Sequence, residues 1–203
     1  MTVPAARPEG RPLAVLCVIA GPSGVGKGTI VDALRARHPE LWYSVSATTR
    51  EPRPGEADGR DYHFLDRGEF ERRAEAGEFL EYFEVYGELK GTPKVPISQR
   101  LDAGDDVLLE LDVQGALAVR ASFPDALLIF VRPPSRSDQR ARLEARGHDA
   151  PDDLERRLAE ADAEEAHVDA FDAVVVNDDV DRATAEIAGI LAARRSRPDE
   201  PGS

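Results

Sequence analysis

A glycine-rich loop directly behind an apolar run is the feature that most constrains the fold of this 203-residue chain. The apolar run covers residues 13–20, and residues 28–37 beyond the loop have a helical pattern. A turn of this composition between a buried strand and a helix directs successive backbone N–H groups at one anion, and the helix N-terminus adds its dipole. The pattern therefore predicts a cradle for nucleotide phosphates with the spacing G-x-x-x-x-G-K, formed by Gly21, Pro22, Ser23, Gly24, Val25, Gly26 and Lys27.

The two residues after the loop bear on how a metal ion is held. In the usual form of this motif a Ser or Thr follows the lysine and contacts Mg²⁺, whereas this chain has Gly28 there and Thr29 one position later. A shift of one residue turns a side chain by about 100° around the helix axis. Because Mg²⁺ often keeps several waters and takes phosphates as its main ligands, a Mg²⁺-dependent site is still expected. Thr29 is the candidate metal residue, and whether it ligates directly or through water stays open.

Four uninterrupted apolar runs predict the buried strands of a parallel sheet, at residues 13–20, 107–111, 127–131 and 173–176. Helical stretches lie between and after them, at residues 28–37, 114–122, 137–146, 152–167 and 181–195. Asp152 and Asp181 are the expected N-caps of the last two. Alternation of this kind is typical of an α/β fold whose helices cover both faces of the sheet.

Residues 42–94 interrupt the alternation and predict a small inserted part that binds a substrate. Residues 42–46 and 79–86 are typical of exposed or edge strands. The polar stretch 51–61, with its prolines and glycines, predicts a loop. Asp66 is the expected N-cap of a short helix that follows this loop.

The charge balance excludes two classes of partner. Lys and Arg total 26 and Asp and Glu total 39, which gives a formal net charge of −13. A chain this acidic repels phosphate backbones and anionic lipids, so neither nucleic acid nor a membrane is an expected partner. The single Cys17 lies in an apolar run, which suits a reducing compartment and a cytoplasmic location. Residues 1–12 and 193–203 are expected to be disordered tails, and the oligomeric state is left open.

Two parts of the chain, read together, resemble the guanylate kinase family. One is the phosphate loop, and the other is Ser-Val-Ser-Ala-Thr-Thr-Arg-Glu-Pro-Arg-Pro-Gly-Glu at residues 44–56, followed by Gly-Arg-Asp-Tyr-His-Phe at residues 59–64. The resemblance extends over residues 13–192 through shorter pieces at residues 79–82, 91–93, 109–115, 133–135, 142–147, 156–158 and 176–179. It implies a P-loop NTPase-type parallel sheet flanked by helices, and a Mg²⁺-dependent kinase whose nucleotide partners are ATP and GMP.

The resemblance also implies a division of the chain and a set of site residues. The core would comprise residues 13–41, 95–131 and 168–192, with a GMP-binding part at 42–94 and a lid at 132–167. Besides the loop, the residues expected around ATP are Gly28, Thr29 and Asn177. Those expected around the GMP phosphate are Arg50, Arg53, Tyr62 and Lys90. Those expected around guanine are Ser46, Glu81, Thr92 and Asp112. Those expected to act on the transferring phosphoryl group are Lys27, Arg142, Arg146 and Arg157.

Two of these positions have competing interpretations. A carboxylate at Glu81 would accept both N1–H and the 2-amino group of guanine, a donor pair that adenine lacks. The alternation of its strand alone would make Glu81 a solvated residue, and Glu84 is the competing choice. Lys90 stands where the family usually has a Tyr, so its ammonium either contacts the acceptor phosphate or points to solvent.

Two alternative functions stay open at this level. One is a related P-loop kinase with another phosphorylated acceptor, such as a ribose bisphosphate. The other is a non-catalytic interaction module with the same fold. The acidic run at residues 160–165 is expected to be a solvated helix face, and the four histidines lack the spacing of metal ligands.

Overall fold

The computed structural model describes residues 14–85, 87–145 and 151–196, and within them a five-stranded parallel sheet forms the centre. Its strands, numbered in chain order, lie as β2 (Trp42–Tyr43), β7 (Val107–Glu110), β1 (Leu16–Ala20), β8 (Leu127–Arg132) and β9 (Ala173–Val176). All four long apolar runs are strands of this sheet. The strand that precedes the phosphate loop is the middle one and is buried along its whole length. The predicted α/β fold is thereby confirmed.

The core sheet includes two residues that were expected in the inserted part. Trp42 and Tyr43 pair with Val107 and Leu108 at the edge of the sheet, so the predicted boundary of the inserted part at residue 42 is wrong. A half-buried edge strand of two residues carries no apolar run by which it could be assigned to the core.

Helices cover both faces of the sheet, as the alternation predicted. They are α1 (Lys27–Arg37), α2 (Arg67–Glu75), α3 (Lys94–Ala103), α4 (Val113–Ser122), α5 (Arg136–Ala145), α6 (Pro151–Glu165) and α7 (Val180–Arg195), with a 3₁₀ turn at Val168–Ala170. Ile30 of α1 and Ile187 of α7 pack in the apolar layer on one face, and Ile97 of α3 and Val119 of α4 pack in the other. Within the described residues, no helix has the length and apolar content needed to cross a membrane.

Several predicted helix ends need correction. Asp179, rather than Asp181, is the N-cap of α7, because its extended backbone lets the carboxylate accept the N–H of Arg182 at 2.8 Å. Asp152 lies inside α6 and does not precede it. The prediction that a disordered tail begins at residue 193 is wrong, because α7 extends to Arg195. The Nε of Arg195 lies 2.6 Å from the buried carboxylate of Asp106. The expected tail 1–12 lies outside the described residues.

The inserted part forms a second sheet of its own. Its strands lie in the order β4 (His63–Phe64), β3 (Ala47–Thr48), β6 (Glu88–Pro93) and β5 (Phe79–Val85). Phe70 of α2 stacks on Phe79 with ring centroids 4.4 Å apart, and both belong to a separate small apolar core. Asp66 caps α2 by accepting the N–H of Glu69 at 2.8 Å, which confirms the predicted N-cap.

We expect Gly21→Ala to destabilise the fold. Gly21 has a φ of +147°, and a Cβ there would lie 2.3 Å from the carbonyl oxygen of Val131 in β8. The free energy of unfolding, measured by urea denaturation, should fall by roughly 1–3 kcal/mol. Gly189→Ala in α7 is the matched control, because no atom of the described residues lies within 4 Å of its Cβ position, and alanine there should stabilise by about 0.5–1 kcal/mol. Equal effects of the two substitutions would contradict this role of Gly21.

Candidate active site

The phosphate loop, residues 21–27, leads from the central strand β1 into the N-terminus of α1. Gly26 is the N-cap of α1 and has a φ of +89°, in the left-handed region that favours glycine. A Cβ at Gly26 would lie 2.4 Å from Nδ2 of Asn177, so the loop and the residue after β9 are in direct contact. This arrangement brings the loop N–H groups and the α1 dipole to the carboxyl edge of the parallel sheet, where ligands of such folds bind.

Lys27 folds back over the loop. Its Nζ donates to the carbonyl oxygens of Gly21 at 2.5 Å and Pro22 at 3.1 Å. Burial lowers the pKa of Lys27, while nearby carboxylates, chiefly Glu110 and Glu164, act in the opposite direction. The ammonium group therefore lies beside the anion cradle and faces carboxylates that a bound phosphate would compete with.

Asn177 and Arg142 support the loop from outside. Nδ2 of Asn177 donates to the carbonyl oxygen of Val25 at 2.8 Å, and Nη1 of Arg142 donates to the same oxygen at 3.1 Å. Nη2 of Arg142 donates to the carbonyl oxygen of Asn177 at 2.8 Å. Among the described residues, Oδ1 of Asn177 is buried and has no hydrogen-bond partner. It is thus an open acceptor beside the loop, and the contact of Arg142 with a transferring phosphoryl group stays a prediction.

The other two arginines expected on the lid are placed differently. Arg157 lies half-buried on α6. Arg146 lies outside the described residues. Their action on the phosphoryl group therefore stays a prediction.

Arg50 and Lys90, two of the residues expected around the acceptor phosphate, both lie near the ring of a third, Tyr62. The guanidinium carbon of Arg50 and the Nζ of Lys90 each lie 5.4 Å from the centroid of Tyr62. Lys90 is on β6 and pairs with Thr48 of β3, so the small sheet holds it next to the strand that leads to Arg50. Two cations and a phenol thus meet at one place, which favours a phosphate contact for Lys90.

Glu56 occupies the position between the two predicted phosphate arginines. Its carboxylate accepts Nη2 of Arg50 at 2.9 Å and the backbone N–H of Arg53 at 2.7 Å. The hydrogen bond from Arg50 holds the pKa of Glu56 below its usual range. The side chain of Arg53 is exposed. A carboxylate thus sits where the incoming phosphate is expected, and the sequence offered no sign of that contact.

A β-bulge selects Glu81 over Glu84 as the buried carboxylate. The pairing of β5 with β6 shifts register between Phe79 and Tyr82, so strict alternation fails at this point. Glu81 is 9% exposed and accepts the hydroxyl of Thr92, and burial raises its pKa. Glu84 is exposed and pairs with Arg67 at 3.0 Å. The alternation argument for Glu84 is therefore wrong.

Of the remaining residues expected around guanine, Asp112 acts electrostatically on Glu81, whereas Ser46 precedes β3, which β6 separates from the strand of Glu81. The carboxylate of Asp112 contributes to the raised pKa of Glu81 and caps α4 by accepting the N–H of Gly115 at 2.7 Å. Ser46 directly precedes β3, and its carbonyl oxygen accepts the N–H of His63 at 2.9 Å. The structure shows the Glu81–Thr92 contact directly, whereas a guanine contact of Ser46 or Asp112 stays a prediction.

Two carboxylates of this site were missed at the sequence level. The oxygens of Glu110 lie 3.8 and 3.9 Å from the place of a Cβ on Gly28. Its position at the carboxyl end of β7 is the signal that could have found it. Glu164 is half-buried, and burial raises its pKa to about 7, with Lys27 opposing the shift. The expectation that residues 160–165 form a solvated face is wrong at this residue, because α6 turns it toward the loop lysine.

The phosphate loop on a central parallel strand, with a buried carboxylate in a separate inserted sheet, is the arrangement of a P-loop kinase. The family model described as guanylate kinase matches residues 14–194. A guanylate kinase from Gloeobacter violaceus is 51% identical over 97% of this chain and 95% of that protein. One from Rhodococcus jostii is 50% identical over 88% and 87%. The crystal structure of guanylate kinase from Anaplasma phagocytophilum superposes with a TM-score of 0.77 at 34% identity, covering 92% of this chain and 89% of that one. The chain belongs to the guanylate kinase family.

We expect ATP affinity to depend on pH through Glu164. With a pKa of about 7, its carboxyl is largely protonated below pH 7 and charged above it. A charged carboxylate beside Lys27 opposes bound phosphates, so ATP affinity should fall as pH rises from 7 to 8.5. In Glu164→Gln the ATP affinity should depend less on pH. The affinity is measured by calorimetry with a non-hydrolysable ATP analogue. The ligand's own titration is the same with wild type and with Glu164→Gln. A difference between the two pH profiles therefore reports the charge of the Glu164 side chain.

Glu165→Gln is the control for that measurement. Glu165 is the next residue on α6, and its carboxylate pairs with Arg132 at 3.3 Å. This variant should keep the wild-type pH profile. An unchanged profile in Glu164→Gln as well would show that Glu164 does not sense the phosphates.

Proposed function

We propose that this chain transfers the γ-phosphoryl group of ATP to GMP, giving ADP and GDP. The observation that carries the proposal is the buried Glu81, held by the hydroxyl of Thr92 in the inserted sheet. A carboxylate kept out of water needs donors, and guanine supplies two on one edge. The identity of about 50% to guanylate kinases over most of the chain supports the same activity.

ATP would be held by the phosphate loop and by Asn177. The loop N–H groups and the α1 N-terminus take the phosphates, and Lys27 exchanges the carbonyl oxygens of Gly21 and Pro22 for phosphate oxygens. Oδ1 of Asn177, which has no hydrogen-bond partner among the described residues, would accept an N–H of the base. The hydrogen bonds that Asn177 and Arg142 make to Val25 keep this acceptor against the loop.

The GMP phosphate would replace Glu56 at Arg50. The guanidinium of Arg50 already donates one hydrogen bond to a carboxylate there, and a phosphate offers more charge and a bidentate set of acceptor oxygens. Lys90 and Tyr62 complete the site from β6 and from the residue before β4. Arg53 reaches the phosphate by turning its exposed side chain inward.

The transfer itself needs no general base. The second pKa of a phosphate monoester is about 6, so the acceptor is already anionic near neutrality. An oxygen of the GMP phosphate attacks the γ-phosphorus, and the new P–O bond forms while the bond to the β–γ bridging oxygen breaks. ADP leaves with that electron pair. The obstacle is repulsion between two anions. Positive charge spread around the moving group would reduce it, and the residues proposed to supply that charge are Lys27, Arg142, Arg146 and Arg157.

The residues beside Lys27 fit a Mg²⁺ ion bound with ATP. The described residues contain no group of three or more His, Cys, Asp or Glu able to hold a metal. Phosphate oxygens and water would therefore be the main ligands, as Mg²⁺ prefers. The carboxylate of Glu110 beside Gly28 and the exposed hydroxyl of Thr29 are the oxygen donors that would hold the ion or its waters. Bound Mg²⁺ would neutralise charge on the β- and γ-phosphates.

The direct test measures ADP release from ATP with GMP, dGMP, AMP or ribose 1,5-bisphosphate as acceptor. Turnover with GMP and dGMP, and little with the other two, is the expected pattern. Turnover only with ribose 1,5-bisphosphate would replace this proposal by the sugar alternative. Binding of GMP without any turnover would favour the interaction module. The cytoplasmic location stays a prediction from the sequence.

Glu81→Gln should weaken selection of guanine. The amide keeps one acceptor oxygen but places an NH₂ against a donor of the base, which leaves polar groups unpaired in a buried site. We expect kcat/KM for GMP to fall by about 10²–10³-fold, with a much smaller change for AMP. Glu84→Gln is the matched control on the same strand, since Glu84 is exposed and pairs with Arg67. Equal effects of the two variants would remove Glu81 from its role.

A further inference from the structure

A buried glutamine joins the phosphate loop to α5. Gln139 is fully buried. Its Nε2 donates to the carbonyl oxygen of Ser23 at 2.7 Å, and its Oε1 accepts Nη1 of Arg136 at 2.5 Å. Both ends of the amide are therefore used, one on the loop and one on the first turn of α5. No part of the mechanism above depends on this side chain.

Arg136 continues the contact to α6. Its Nη2 donates to the carbonyl oxygen of Leu158 at 3.0 Å, and its guanidinium pairs with Asp162. A single chain of hydrogen bonds thus connects the loop, α5 and α6. The far end of that chain is the helix that also carries Arg157 and Glu164.

The bond to Ser23 has a consequence for the anion cradle. A trans peptide unit is planar, with its C=O and N–H pointing in opposite directions. By holding the carbonyl oxygen of Ser23 toward α5, Gln139 turns the N–H of Gly24 away from α5. The loop also packs directly on this helix, since a Cβ on Gly24 would lie 2.8 Å from Cγ of Leu143.

We propose that Gln139 is a positioning residue for the phosphate loop, and that Arg136 links the loop's geometry to the seating of α6. The inference rests on the proposed function, because it assigns the loop to ATP. An apolar side chain of the same size would fill the space equally well. It would leave the carbonyl of Ser23 and the guanidinium of Arg136 without partners.

Two variants of Gln139 test its hydrogen bond to Ser23, because both remove that donor. Gln139→Glu keeps an acceptor for Arg136 but presents an oxygen to the carbonyl of Ser23, whereas Gln139→Met removes both contacts at similar volume. We expect both to weaken ATP binding by about 10-fold in calorimetry without GMP. The KM for GMP should stay within about 2-fold of wild type, because the acceptor pocket lies in the other sheet. Circular dichroism and thermal melting establish that each variant is folded.

Arg140→Met is the matched control. Arg140 lies on the same helix and pairs with Glu155 of α6 at 2.7 Å, so it joins the same two helices without touching the loop. It should leave ATP affinity unchanged. Wild-type ATP affinity in both Gln139 variants would overturn the positioning role, and so would equal losses for ATP and GMP. If the wild-type protein did not turn over GMP at all, the proposed function would be overturned, but the comparison of ATP affinities would remain valid.

The link to α6 has its own test. Asp162→Asn removes the exposed partner of Arg136 and should fold normally, since the Asp162 side chain is 71% exposed. Combined with Gln139→Met in a double-mutant cycle on ATP affinity, it should show losses that do not add. The cycle of Arg140→Met with Gln139→Met should be additive. Additive losses in both cycles would overturn the coupling to α6.

Discussion

The structure depends on how the peptide units of residues 21–27 are oriented. A loop whose N–H groups converge on an anion must direct its carbonyl oxygens elsewhere, and each buried carbonyl needs a donor. Four side-chain donors meet that need around the loop: Nζ of Lys27 at Gly21 and Pro22, Nε2 of Gln139 at Ser23, and both Nδ2 of Asn177 and Nη1 of Arg142 at Val25. The β9 end and α5 are therefore gathered at one edge of the sheet by the backbone chemistry of a single turn.

Electrostatics within the site follows the same logic. The candidate phosphate-binding cations have carboxylates near them, Glu56 at Arg50 and Glu110 with Glu164 around Lys27. Substrate phosphates would replace or oppose these groups, so the net charge of −13 does not prevent anion binding. The acidic composition bears on partners in bulk, whereas binding is decided by a few cations held at fixed positions.

The limits of prediction are visible at particular residues. The phosphate loop and the long core strands could be predicted, because spacing and apolar runs are local patterns. Glu81 could not be separated from Glu84 by alternation, since a bulge in β5 changes the side on which residues lie. The acidic run predicts a solvated face at Glu164, because its spatial neighbour, the loop lysine, is far away in the chain. The resemblance proposed a pocket around Glu81, and the fold placed Thr92 against it.

The sequence by itself determined the class of fold and the position of the phosphate loop, and its resemblance to guanylate kinases predicted which residues handle phosphate. These properties depend on residue order and on the needs of a backbone turn. Only the tertiary structure decided which carboxylate is buried, where Trp42 and Tyr43 belong, and that Gln139 supports the loop. Each of those outcomes is a contact between residues distant in the chain. Burial and register arise only when separate elements pack together, so no local pattern encodes them.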